Sequence, residues 1–315
     1  MKQTKTNPLH ILNIGAGAVG GYYSAKLQQA GCHVTLACRS DYSTVVKKGI
    51  AIHSIDGDFH FSPDRVINDI AHYGQPAADI LFITLKVLPE IDLPTMIAPA
   101  VGENTTIVMV QNGVEIEKPI QDAFPNNPLI SGLAFVCLNR TAPGEITHLD
   151  YGRLALGRYP NGPSEMVQQL AKLFESVNVP CLVTEQVTQA RWRKLIWNAP
   201  FNGISVLTQS DTLEIMQNPE TLELSRCVME EVFQIAAACG HPLPDTIVET
   251  NLRDTFKMKP YKTSMLLDYQ AERPLEVEAI LGNAIRAARR VGISAPHMTT
   301  IYSLLKLTNE KNSRV

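Results

Sequence analysis

Three polar side chains, Lys194, Asn198 and Asn202, recur every four residues within RWRKLIWNAPFN, residues 191–202. That spacing lays them along one face of a helix if Pro200 is accommodated by a kink or a local break. A lysine flanked by two carboxamides suits one chemistry: polarising a ketone oxygen and protonating it while a hydride arrives at the carbon. Lys194 is the candidate general acid, and Asn198 and Asn202 are candidates to orient it and a substrate by hydrogen bonding. The same spacing also describes a lysine and two asparagines that merely face solvent. A second group lies in KTSMLLDYQAERPLEVE, residues 262–278, where Ser264 offers a hydroxyl for a carboxylate or alcohol and Glu276 an acceptor for a substrate or for the lysine. Glu276 reads equally as an acid favoured in the first helical turn after Pro274, and Asp268 as a helix cap.

A third cluster is rich in glycine. Gly15, Ala16, Gly17, Ala18, Val19 and Gly20 spell GxGxxG directly after an apolar run and at the opening of a helical stretch. In that β-α-β setting Gly15 permits a tight turn, Gly17 lets a pyrophosphate approach the backbone, and Gly20 lets the helix pack on the strand. Free amides at the helix start then face the phosphates. Outside such a setting the motif is only a glycine turn. The second strand runs into Arg39, where an NAD-binding chain would usually carry an acid about 20 residues past the glycines. A guanidinium there can grip a 2′-phosphate, so Arg39 points to NADP; a solvated surface arginine is the other reading. Lys86 and Asn112-Gly113 follow apolar runs at residues 80–85 and 107–111, at the carboxyl ends of expected parallel strands, where open α/β sheets bind ligands. Asn-Gly is also a plain turn signal.

The elements that must position these groups divide the chain in two. Apolar runs at residues 11–14, 34–37, 80–85, 107–110 and 130–136 are separated by segments long enough to cross over a parallel sheet, which implies an α/β layer structure. From about residue 163 such runs become rare and long amphipathic stretches take over at 187–207, 219–239 and 274–291, so the second half is expected to be mostly helical. Pro274 fits the first turn of the last of these helices, Gly292 with Pro296 marks its end, and the polar tail 309–315 is expected to fray. With 315 residues, 45% of them hydrophobic, and a formal charge of −3, the chain has material for two cores and no electrostatic case for nucleic acid or membrane. Six scattered cysteines read as small buried hydrophobes in a reducing compartment, no metal-ligand cluster appears, and the N-terminal segment resembles no targeting peptide, so a cytoplasmic location is expected.

Taken together, GAGAVG at 15–20, TLK at 84–86, QNGV at 111–114, KLIWNAPFN at 194–202 and SMLLD at 264–268 with the later Glu276 resemble the ketopantoate reductase family over nearly the whole chain. The resemblance implies an N-terminal Rossmann-like, NADP-binding domain (residues 1–186) and a mostly helical substrate-binding and catalytic domain (residues 187–315). It implies NADPH-dependent reduction of a small 2-oxo acid, 2-dehydropantoate; a helical second domain is compatible with a monomer or a homodimer. On it, Lys194 matches the catalytic acid and Glu276 the assisting glutamate, while Asn198, Asn202 and Ser264 match substrate-binding positions. Asn112 and Lys86 match the junction of cofactor and substrate, with Glu276 also among the cofactor contacts. The chain departs from the family pattern at residues 204–206, Ile-Ser-Val where Leu-Thr-Ala is common, and at 271–274. A reductase of another small 2-oxo acid, a β-hydroxyacid dehydrogenase and a non-catalytic NADP sensor are the competing readings.

Overall fold

The computed structural model describes residues 8–74 and 76–312. Most of the N-terminal segment, residues 1–7, and the last three residues of the polar tail lie outside the described residues. The chain forms two compact units: Met1–Lys86, Ile91–Gln111 and Glu117–Val187 make the first, and Val87–Glu90, Asn112–Ile116 and Thr188–Val315 the second. Two short segments that follow strands of the first unit thus belong to the second.

The first unit is built on strands β1 (His10–Ile14), β2 (His33–Ala37), β3 (Ile50–Ser54), β4 (Phe59–Phe61), β5 (Arg65–Ile67), β6 (Ile80–Ile83), β7 (Thr106–Val110), β8 (Leu129–Ala142), β9 (Glu145–Arg158) and β10 (Cys181–Val183). They form one sheet in the order β4-β3-β9-β8-β7-β6-β1-β2-β5, with β10 paired to β9. Helices α1 (Ala18–Gln29), α2 (Tyr42–Lys48), α3 (Leu93–Ile97), α4 (Lys118–Ala123) and α5 (Glu165–Glu175) complete the unit. From β5 to β8 the neighbouring strands are parallel, and the chain winds from β1 to β2 on one side and to β6 on the other. The strand order therefore reverses at β1, and the crevice beyond its carboxyl end is where such sheets bind nucleotides. The register puts Ile14 beside both Ala37 and Ile83, and Ile83 beside Met109. Gly15, Cys38 and Thr84 consequently leave the sheet in one row, level with Val110, the last residue of β7.

Beyond these parallel strands the sheet is mixed: β8 and β9 are antiparallel strands of 14 residues each, and β3 pairs antiparallel with β4. The apolar run at 130–136 marks only the start of β8. Its core gathers Tyr22, Tyr23, Phe82 and Phe174 between the sheet and its helices.

The second unit is helical: α6 (Val187–Thr208), α7 (Thr212–Gln217), α8 (Pro219–Ala238), α9 (Ile247–Lys257), α10 (Ser264–Gln270), α11 (Asn283–Val291) and α12 (Pro296–Asn312). Pro200 lies inside α6 without ending it, so the helix gives up one internal hydrogen bond and continues through neighbouring packing. Trp192, Phe201, Met229, Leu266 and Met298 lie in its core. One boundary differs from expectation: Pro274 and Glu276 precede the helix, which opens with a π-turn at Glu278–Gly282 before α11. Glu276 is therefore not a first-turn acid. Asp268 is the fifth residue of α10 and pairs with Arg273 Nε at 2.9 Å, so it is no cap; Thr263 fills that place, accepting from Leu266 N–H. Gly292 does end α11, in the left-handed conformation at φ +72°, and α12 extends the tail helically to Asn312. Four cysteines are buried and Cys227 and Cys239 partly so; none of the six is bonded to another. No described helix is long and apolar enough to cross a membrane.

Candidate functional site

At the carboxyl end of β1 the glycines divide into two kinds. Gly15 has φ +118°, and a Cβ there would lie 2.7 Å from Leu85 N; one at Gly20 would lie 1.8 Å from the Gly15 carbonyl oxygen. Both are demanded by the protein's own packing. Gly17, the N-cap of α1, is different: a Cβ there would meet nothing within 4 Å. No side chain caps the helix and no acid occupies its first turn, so the first amides and the open space above Gly17 fit an approaching phosphate. Ala16, Ala18 and Val19 are partly exposed around that space. Two residues that sequence reasoning does not single out pin the turn. Thr84 Oγ1 donates to the Gly15 carbonyl at 2.8 Å, and buried Asn13 donates to the Gly20 carbonyl at 3.1 Å and to Ser24 Oγ at 2.5 Å.

Arg39 is exposed in the loop after β2. That loop is anchored by Asp41, 4% exposed, which accepts from Arg140 at 2.5 Å and from Ser40 Oγ at 2.9 Å. Lys86, half-buried, follows β6, whose end is tied to that of β7 by Gln111 Nε2 donating to the Leu85 carbonyl at 2.7 Å. A dinucleotide with a 2′-phosphate fits this donor set: open amides, an unobstructed glycine and an exposed guanidinium on one sheet end.

In the second unit α6 presents Lys194, and its Nζ donates to Asn112 Oδ1 at 3.0 Å. Burial and the neighbouring Arg191 guanidinium lower the Lys194 pKa from 10.5 to about 8, against the upward pull of the Glu276 carboxylate. Glu276 is fixed by accepting the Val87 N–H at 2.9 Å. The segments Val87–Glu90 and Asn112–Ile116 thus each bring one group to the lysine's surroundings. Gly113, at φ +105°, allows the second segment to sit close: a Cβ there would fall 2.5 Å from the Ala279 carbonyl oxygen, on the π-turn.

Asn198 and Asn202 follow Lys194 along α6 and are 8% and 2% exposed, so they do not face solvent. Asn202 Oδ1 is buried with no hydrogen-bond partner among the described residues, a cost of about 1 to 3 kcal/mol unless a ligand supplies a donor. Ser264, in contrast, is exposed at the start of α10. Its neighbour Thr263 is the buried hydroxyl, 2.6 Å from Ser205 Oγ on α6. The departures at 204–206 prove to be core positions, each at most 2% exposed. Arg191 also belongs to this cluster without being marked by the sequence, donating to the Gly113 carbonyl at 3.0 Å.

A glycine turn at the switch point of the parallel part of the sheet, followed by a helical unit with a partly buried lysine, is the plan of a dinucleotide-dependent oxidoreductase. Comparison with known proteins narrows that class. Residues 11–161 match the family model described as ketopantoate reductase PanE/ApbA, and residues 186–309 its C-terminal counterpart. The chain is 39% identical to a 2-dehydropantoate 2-reductase of a Nostoc species, over 95% of each chain. Among solved structures, a 2-dehydropantoate 2-reductase from Methylococcus capsulatus shares 46% identity with a TM-score of 0.90, covering 97% of this chain and 98% of that one. One from Geobacter metallireducens shares 34% with a TM-score of 0.89, covering 95% and 99%. The chain belongs to the ketopantoate reductase family.

Proposed function

We propose that this protein is an NADPH-dependent 2-dehydropantoate 2-reductase, with Lys194 as the proton donor. The observation that carries the reading is the lysine itself: an ammonium oriented by Asn112 and held at a pKa of about 8. A donor with a pKa near working pH is both protonated and willing to transfer. Gly15, Ala16, Gly17, Ala18, Val19 and Gly20 would hold NADPH, with Arg39 toward its 2′-phosphate and Lys86 and Asn112 as further contacts, and the bound cofactor would supply the hydride for the ketone carbon. Lys194 Nζ gives its proton to the ketone oxygen, yielding a 2-hydroxy acid, and regains one from water. Glu276 opposes the other influences on Lys194 and favours its charged form. Asn198 and Asn202 hold the substrate, the unpartnered Asn202 Oδ1 accepting from a substrate hydroxyl; Ser264 is assigned to the substrate carboxylate on family resemblance. The departures at 204–206 are buried core positions. The absence of disulfides suits a cytoplasmic enzyme.

The test is oxidation of NADPH, followed by absorbance, with 2-dehydropantoate, other small 2-oxo acids and 3-hydroxy acids, and with NADH in parallel. Efficient NADPH-specific turnover of 2-dehydropantoate is expected and should be lost in K194A with NADPH affinity kept. Preference for another oxo acid would replace the substrate; binding of NADPH without any turnover would favour a sensor.

A further inference from the structure

We propose that Arg191 is a positioning residue for Lys194: its guanidinium seats the Asn112-Gly113 segment on α6, and its charge governs how readily Lys194 gives up a proton. The proposal rests on the reading of Lys194 as proton donor and extends it to a residue outside the reacting groups.

Arg191 is 2% exposed. Arginine is almost never buried so fully without a specific task for its charge and donors. Its NH1 donates to the Gly113 carbonyl at 3.0 Å, while Lys194, three residues later on the same helix, donates to Asn112 Oδ1 at 3.0 Å. Two cations on one helical face therefore hold consecutive residues of one segment. The segment's other ties lie further along: Val114 N–H donates to the Ala279 carbonyl at 3.3 Å, and Asn283 Nδ2 to the Val114 carbonyl at 2.7 Å. Arg191 supplies the contact next to Asn112, so without it the acceptor that aims the ammonium loses its nearest support.

The second effect is electrostatic. The charged groups acting on Lys194 are Arg191 from its own helix and Glu276 from the segment just before the π-turn; Asn112 facing it is neutral. After burial, Arg191 is the largest influence lowering the Lys194 pKa, and Glu276 opposes it. A neutral side chain at position 191 should raise that pKa, because a like charge no longer disfavours the ammonium.

The experiment uses the full chain with R191M, R191Q and R191K. One readout is the pH dependence of kcat for NADPH-dependent reduction of 2-dehydropantoate. The other is trace acetylation of Lys194 against pH, read by peptide mass spectrometry, which titrates the amine without turnover. R191M should move both alkaline transitions upward by about half a pH unit or more and lower kcat at neutral pH by about tenfold or more, the cost of a misaimed donor. R191K, which keeps the charge, should restore the position of the transition while recovering only part of kcat. R191Q, which keeps a donor for Gly113 without charge, should show the pH shift with a smaller loss of kcat, and serves in place of R191M if that variant does not fold. An active set of variants in which Lys194 titrates as in wild type overturns the proposal. Shifted acetylation in a protein that reduces no 2-oxo acid discards the proposed function and still sustains the control of Lys194 by Arg191.

Discussion

Replacing Lys194 by methionine keeps a long side chain and removes its charge, and the structure fixes what that should do to stability. The folded protein holds this lysine at a pKa of about 8, down from 10.5, chiefly through burial and then Arg191. A group whose cationic form is disfavoured by folding binds fewer protons in the native than in the unfolded state. It therefore costs stability in full below the folded pKa, and the cost fades as pH rises from about 8 toward 10.5. At about 1.36 kcal/mol per pK unit, the cost is about 3 kcal/mol at pH 7 and about 1 kcal/mol at pH 10. Against the gain, the variant leaves Asn112 Oδ1 without its ammonium donor, a loss of about 1 kcal/mol. K194M should thus be inactive and about 2 kcal/mol more stable than wild type at pH 7, with the advantage gone near pH 10. Urea unfolding followed by tryptophan fluorescence reads the right region, because both tryptophans of the chain, Trp192 and Trp197, lie on α6. A variant less stable than wild type at neutral pH, or a difference that ignores pH, would refute the electrostatic reasoning.

Further outcomes follow from the same geometry. Turnover of wild type should fall as pH rises through about 8, as Lys194 loses its proton; E276Q, which keeps an acceptor for Val87 N–H but no charge, should move that fall to lower pH, and a move upward would count against it. G17A should fold normally, within about 1 kcal/mol of wild type, yet lose NADPH affinity in a fluorescence titration. G20A, whose Cβ would sit 1.8 Å from the Gly15 carbonyl oxygen, should lose both affinity and about 2 kcal/mol or more of stability; equal behaviour of the two variants in a paired denaturation and binding assay would contradict the division of the glycines. R39A should raise the KM for NADPH by about tenfold to a hundredfold, the value of a charge-assisted phosphate contact, and leave that for NADH unchanged.

What the sequence reveals and what it hides follow from the range of the interactions involved. The turn at Gly15 to Gly20 and the face carrying Lys194, Asn198 and Asn202 are local, so spacing alone exposes them. The groups that complete each site come from afar: Arg140 reaches Asp41 across 99 positions, Thr84 reaches Asn13 across 71, and Asn112 meets Lys194 across 82. Asn112 by itself carries only the signal of an Asn-Gly turn. Strand β9 escapes notice because most of its first half is exposed or half-exposed and polar, whereas β6 and β7 are buried throughout. Arg191 looks like any helical arginine until its burial against Gly113 is seen. At Ser264 the sequence shows a hydroxyl but not its setting: it is exposed, and the buried polar contact to α6 is made by its neighbour Thr263.

The way the second unit is assembled bears on how such a protein can be inherited. Its core contains Val114, and its lysine depends on Asn112 and its glutamate on Val87, all carried by insertions from upstream of the helices. Residues 188–315 are thus not a self-sufficient cassette. A gene fragment encoding only the helices would lack the acceptor that aims the lysine, and recombination at the apparent boundary would join a lysine helix to foreign strand-end peptides. Exchange between homologues is constrained to carry residues 87–90, 112–116 and the helices together, so the two units cannot be separated by a single crossover near residue 187.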